Sequence, residues 1–409
     1  MRRNLVIGGA LAAVLVLVAG VTVAVSPTVR QQLGLADPPA AATQAEPIPG
    51  ADLSGTGPGS LISAMTMPEF SRSPQGSQIS AARVVYRSTD GDTGAPTEVS
   101  GSVFIPRGSP PAGGWPVVAF GHGTVGIDEP CAPSLSATLL GMTDWVVKLT
   151  DLGFAVAFAD FQGLGAPGVH PYLDSRTAGL NMIDSVRALR HTFDDVSDRW
   201  AALGGSQGGG AVWAVGEQSG TYAPDMLPSG VLALAPVADV AGLVDKAVEA
   251  TLTKEQGAAL ILIIESLARL HPDIDRDDYR HGVAAAQWDT LIACSGAAVH
   301  DREGFIDQLE PADLKPTSPA AADRLRGYLK AWALPQQRPA VPMSVVYGGR
   351  DEYIDPTWTE AAIAQACALG GNVVADFQPD KGHGDLDVAD QLGWLSERLA
   401  GQPAAAGCT

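Results

Sequence analysis

The chain has 409 residues, 46% hydrophobic and 17% charged, enough apolar matter for a large core and too little charge for a disordered tail or a coiled coil. Lys and Arg number 26 against 45 Asp and Glu, and the net charge of −19 repels phosphate backbones, so nucleic acid is excluded as a partner. The 4 Cys lie far apart and neither CxxC nor HExxH occurs, which argues against a zinc site.

At the N-terminus, Arg2 and Arg3 precede an apolar run from Leu5 to Val25, the pattern of an export signal or a single membrane anchor. The run is long enough to span a bilayer and the cleavage sites around Ala24 are poor, so residues 1–26 read equally as signal peptide or anchor. Either places the body outside the cytoplasm, secreted or tethered to the cell envelope. An oxidising compartment favours disulfides over free thiols. Cys131, Cys294, Cys367 and Cys408 allow three pairings. The one favoured here staples the C-terminal tail through Cys367 and Cys408 and leaves Cys131 and Cys294 to tie two distant segments; the alternative is two buried thiols and a loose tail.

Residues 27–59 are rich in Pro, Ala, Gly and Thr without apolar periodicity, the composition of a linker. Short apolar runs then recur at Arg83–Arg87, Val99–Ile105, Pro116–Phe120, Phe154–Ala159, Trp200–Leu203, Val231–Ala235, Met343–Tyr347 and Val373–Phe377, with helical stretches and small-residue turns between most of them. Strands separated by helices predict an α/β fold with a mostly parallel sheet covered on both faces. The first two runs, joined across Gly91–Thr97, predict an antiparallel hairpin at the sheet edge. The strand rhythm stops between Val237 and Arg338, which divides the body into a core (60–236 and 339–409) and a helical insertion (237–338). Within the insertion, Ala258–Ile264 is apolar all round. It is either a buried core helix or the face of a cap turned toward a lipid-like substrate.

Gly204-Gly205-Ser206-Gln207-Gly208 is a GxSxG pentapeptide between a short strand and a helix rich in small residues. A serine on a sharp strand-to-helix turn needs glycines on either side, because a Cβ there would collide with the neighbouring elements. The helix N-terminus near Gln207 aims free N–H groups at the reacting oxygen. A serine hydroxyl becomes a nucleophile when an imidazole takes its proton and a carboxylate fixes that imidazole. In this topology the order is Ser, acid, His. His383 is the last histidine of the chain and sits in a polar loop after the final predicted strand, where the general base belongs. Asp351 follows the preceding strand and is the expected acid, with Glu352 as its neighbour and substitute; Asp355, before a proline, suits a helix cap. An acyl-transfer site also needs two N–H donors for the oxyanion. One is the amide of Gln207; the second is expected from Thr124 or Gly123 in the Phe120-Gly121-His122-Gly123-Thr124 loop, with His122 buttressing it.

Taken together, Gly121-His122-Gly123-Thr124-Val125-Gly126, Ala159-Asp160-Phe161-Gln162-Gly163-Leu164-Gly165 with His170-Pro171-Tyr172-Leu173, the GGSQGGG run at 204–210, Tyr347 to Pro356, and Lys381-Gly382-His383-Gly384-Asp385 resemble the secretory lipase family of α/β-hydrolases. The likeness spans residues 59–399. It implies an α/β-hydrolase core with a helical cap inserted after Val231–Ala235, a Ser206, Asp351, His383 triad, and hydrolysis of lipid or acyl esters without metal or organic cofactor. The chain departs from the usual pattern at Phe161, where a Tyr is common, and at Gln207. A monomer acting on a small-molecule or lipid ester is expected. The competing readings are a peptidase or acyltransferase on the same fold and a non-catalytic binding protein.

Overall fold

The computed structural model describes residues 44–408; the segment read as signal or anchor, 1–26, and the first part of the linker lie outside them. Nine strands among the described residues form one sheet: β1 (Leu61–Thr66), β2 (Ile79–Thr89), β3 (Pro96–Pro106), β4 (Trp115–Gly121), β5 (Ala155–Ala159), β6 (Val196–Gly205), β7 (Val231–Leu234), β8 (Met343–Gly348) and β9 (Val373–Gln378). Their order is β1-β2-β3-β5-β4-β6-β7-β8-β9. The β1–β2, β2–β3 and β3–β5 pairs are antiparallel and all pairs from β5–β4 to β8–β9 are parallel. Each of the eight predicted runs falls on a strand, with Phe154 and Ala235 one residue beyond theirs; the predicted hairpin is β2–β3, closed between Thr89 and Pro96, but β1 pairs outside it and takes the sheet edge. β1 has no counterpart among the predicted runs. Its residues do not alternate between faces, because the register slips between Leu61 and Ser63.

Among the described residues twelve α-helices accompany the sheet: α1 (Pro68–Arg72), α2 (Thr143–Asp151), α3 (Ser175–Thr192), α4 (Gln207–Tyr222), α5 (Gly242–Glu249), α6 (Lys254–Leu270), α7 (Gly282–Ala286), α8 (Trp288–Leu291), α9 (Ala298–Ile306), α10 (Pro319–Trp332), α11 (Pro356–Ala368) and α12 (Ala389–Leu399). The pleat sorts the core into two layers. Val117 and Ala119 of β4 face α3, α4 and α11, whereas Val118 and Phe120 face α2 and α12. With both faces covered, the central strands read as continuous apolar runs. None of the described helices is long and apolar enough to cross a membrane.

The described part of the stretch read as linker is held to the sheet edge: Ile48 N–H donates to Ala64 O at 2.9 Å and Thr66 N–H to Glu46 O at 2.7 Å. Between β7 and β8 the structure is helical, α5 to α10, around a hydrophobic core that also takes in Ile127, Tyr172, Leu173 and Ile354. Leu260–Ile264 lie in that core, each at most 1% exposed. The apolar run of α6 is therefore a buried core segment. Beside it, burial alone would raise the Glu265 carboxyl, but hydrogen bonds from Arg276, Trp288 and Arg269 outweigh that and hold it at about 2.

Both disulfides of the favoured pairing are present. Cys131–Cys294 joins the segment after β4 to the insertion, and Cys367–Cys408 pins the C-terminal tail to α11. Arg269 reinforces the first tie through Asp128 Oδ1 at 2.6 Å.

Candidate active site

Ser206 stands between β6 and α4 with φ 57° and ψ −117°, a left-handed conformation that costs a non-glycine residue about 1–3 kcal/mol. Neighbours hold it there: its N–H donates to Leu234 O at 2.9 Å, and its carbonyl accepts from Gly210 and Val237. Gly204, Gly208, Gly209 and Gly210 make the turn sterically feasible, since a Cβ on any of them would come within 3.0 Å of a backbone oxygen. A Cβ on Gly208 would lie 2.1 Å from Gly121 O, and one on Gly204 would lie 2.4 Å from Gly208 O. Gly205 is different, since a Cβ there would meet nothing closer than 3.9 Å. The strain at Ser206 lifts its side chain to the carboxyl ends of the parallel strands.

His383 lies in the loop after β9, and its Nδ1 is 2.7 Å from Asp351 Oδ2. The other oxygen, Asp351 Oδ1, accepts from the N–H groups of Tyr353 and Ile354 at 2.8 and 2.9 Å, so the carboxylate is anchored by its own turn. The Asp351 side chain is 2% exposed and that of His383 18%, an arrangement in which the acid is shielded and the ring keeps one open side. Glu352 points to solvent and contributes its carbonyl to Thr253 Oγ1, the N-cap of α6. Asp355 caps α11, accepting from Thr357. Asp351 is thus the carboxylate brought to the imidazole.

Ser206 and His383 line one cavity of about 220 Å³ together with Gly121 and Gly123. Gly123 backs directly onto the serine, since a Cβ built on it would sit 3.7 Å from Ser206 Cβ. The amides of Gly123, Thr124 and Gln207 donate to no protein acceptor among the described residues, and are free for an anion. Thr124 Oγ1 is 2.6 Å from the Tyr172 hydroxyl, whose pKa burial pushes up to about 12, so the phenol stays protonated. His122 is fully buried, with Nδ1 2.6 Å from Gly123 O and Nε2 3.1 Å from Asp160 O. Burial lowers its pKa, and the ring acts as a wedge under the loop, its centroid 4.5 Å from that of Phe161 and tilted 36° to it.

Three residues without an assigned role in the sequence complete the surroundings. Buried His170 has Nδ1 2.7 Å from Gln162 O, which makes Nδ1 the protonated nitrogen and Nε2 the acceptor. The Gln207 side-chain amide donates to that Nε2 at 2.9 Å, so the residue after Ser206 is held by its side chain as well as by the helix. Burial lowers the His170 pKa to about 4, which keeps it neutral. Tyr172 steadies Thr124, and the Tyr353 ring lies 4.7 Å from that of His383. Their only mark in the sequence is the run His170-Pro171-Tyr172 and the Tyr353 beside Asp351; the contacts follow from the fold. No cluster of three or more metal-ligating side chains occurs among the described residues.

The strand order, the strained serine at the strand-to-helix turn and the imidazole-carboxylate pair after β8 and β9 are those of an α/β-hydrolase. The family model described as "Secretory lipase" matches residues 133–407, two thirds of the sequence, and the chain belongs to that family. Among solved structures, lipase A of Candida antarctica in its closed state superposes with a TM-score of 0.66 at 16% identity, covering 86% of this chain and 84% of that one. The rice cell wall degrading esterase LipA from Xanthomonas oryzae gives 0.63 at 18% identity, covering 84% and 97%. At such identities the likeness is one of fold. No curated protein sequence matches the chain.

Proposed function

We propose that the chain is an exported serine ester hydrolase, a lipase or carboxylesterase, that cleaves lipid or acyl esters through an acyl-enzyme on Ser206. The observation that carries this reading is the 2.7 Å contact between His383 Nδ1 and Asp351 Oδ2, with the imidazole in the wall of the cavity that Ser206 lines. Asp351 holds the Nδ1–H tautomer, which leaves Nε2 to take the Ser206 proton as the oxygen attacks the ester carbonyl. The amides of Gln207 and of Gly123 or Thr124 receive the oxyanion, each such donor being worth about 3–4 kcal/mol in the transition state. The imidazolium gives its proton to the departing alkoxide, and a water activated by His383 then releases the acid.

Export is supported by the family's secretory character and by the two disulfides. The test is hydrolysis of a short-chain nitrophenyl ester by the wild type, Ser206→Ala and His383→Ala. Both variants should fold and lose turnover by about 10⁴-fold or more; substantial activity in either would refute the assignment. A parallel panel of triglycerides, short esters and peptide amides separates lipase, esterase and peptidase chemistry.

A further inference from the structure

The wall of the cavity at Ser206 owes nothing to the helical insertion. Its apolar part is Phe120 and Leu234 at the strand ends, Met142 and Trp145 from α2 and the residue before it, and Leu386 and Val388 from the loop after His383. No charged side chain lines it. The backbone explains how the last two come to face inward. In the loop from His383 to Val388 the acidic residues secure the turn: Asp385 Oδ1 accepts from Gly382 N–H at 2.6 Å, and Asp387 N–H donates to Gln378 Oε1 at 2.9 Å while Asp387 O accepts from Gln378 Nε2 at 2.8 Å. Leu386 and Val388 are half-buried against the α2 side of the core, whereas Asp385 and Asp387 are exposed. Trp145 stands opposite, its ring 5.9 Å from that of Phe120.

Resting on the ester-hydrolase reading, we infer that this pocket, walled by Met142, Trp145, Leu386 and Val388, is the subsite for the alcohol portion of the ester and selects an uncharged, apolar alkyl or aryl alcohol. The chemistry fixes the side. When the tetrahedral intermediate collapses, the bond between the carbonyl carbon and the alkoxy oxygen breaks, its electron pair goes to that oxygen, and the proton arrives from His383 Nε2, so the alcohol leaves neutral. The leaving oxygen must therefore lie against His383, and the group it carries extends along the chain that continues from His383, through Gly384 to Leu386 and Val388. Gly123, an expected oxyanion donor, lines the same cavity beside Ser206. The cavity, about 220 Å³ with a mainly apolar wall, suits a butyl to hexyl or a phenyl group. A charged alcohol would lose hydration with no partner to replace it.

The experiment is a two-way ladder on the full chain: one acid esterified with methanol through octanol, and one nitrophenol esterified with acids from acetate to dodecanoate. Wild-type kcat/KM should rise along the alcohol ladder and level off or fall after hexyl. In Val388→Phe the hexyl-to-methyl ratio should drop by about tenfold or more, since each methylene excluded from an apolar pocket is worth about that factor. Trp145→Ala, a change of opposite sense at a half-buried position, should move the break to longer alcohols. Both variants should keep the wild-type order along the acyl ladder. A shifted acyl ladder with an unchanged alcohol ladder would overturn the subsite and leave the hydrolase reading standing. Absence of hydrolysis of every ester by the wild type would instead overturn the hydrolase reading itself.

Discussion

At Asp351 two neighbouring carboxylates compete in the sequence, and the fold separates them. Asp351 turns inward onto His383 and two backbone N–H groups, while Glu352 faces water. Asp351→Asn should leave the protein folded and lower kcat by about 10⁴-fold, because the amide cannot hold the Nδ1–H tautomer; Glu352→Gln should leave kcat close to wild type. Steady-state kinetics on one nitrophenyl ester decides between them. The buried His170 makes a second residue-scale prediction. Burial holds it at about 4 in the folded chain, whereas an unfolded histidine titrates near 6.5. Between those values the unfolded chain binds a proton that the folded chain does not, so this contribution is full above about pH 6.5 and is lost as pH falls toward 4. Asp174 and Glu217, raised by burial to about 6 and about 7, act in the opposite sense: their contribution is present below the ordinary carboxylate range and lost as pH rises through those values. Comparison with His170→Asn isolates the histidine. The stability gap between wild type and variant, measured by urea unfolding, should shrink by about 2 kcal/mol between pH 7 and pH 4.5.

Among the elements, the β6–α4 turn and the helical insertion carry the tests. A methyl group on Gly208 would meet backbone oxygen at 2.1 Å, which no side-chain rotation relieves, whereas one on Gly205 has room. Gly208→Ala should cost about 3 kcal/mol or prevent folding, and Gly205→Ala should melt close to wild type. The GxSxG spacing made the turn legible, but not which glycines are sterically required, since that depends on how closely Gly121 and Gly208 approach across β4. The insertion is bound to the core at several points. Ser266 of α6 donates to His170 O and accepts from Tyr172 N–H, Thr253 at its N-cap reaches Glu352 O, and Cys131–Cys294 closes a separation of 163 residues. Replacing both Cys131 and Cys294 by Ser should cost about 2–4 kcal/mol in thermal or denaturant unfolding.

Across the whole molecule, the legible parts were those set by local pattern. Eight strands announced themselves as apolar runs, and the helical insertion as a gap in their rhythm. Ser206, Asp351 and His383 stood out because each follows a strand at its carboxyl end. What stayed hidden depends on strand order. With β4 lying between β5 and β6, the chain after it folds back over the strand ends and sets Met142 and Trp145 beside Ser206, a meeting that neither segment encodes alone. The apolar run of α6, read either as a buried core helix or as a cap face, is the former: Leu260–Ile264 lie in a hydrophobic core. Ser206 Oγ should be far more reactive than a free serine hydroxyl. Peptide mapping by mass spectrometry after treatment with a fluorophosphonate reads this directly. A single adduct on Ser206, absent from Ser206→Ala, is the predicted result; an unlabelled protein, or an adduct on another residue, would contradict it.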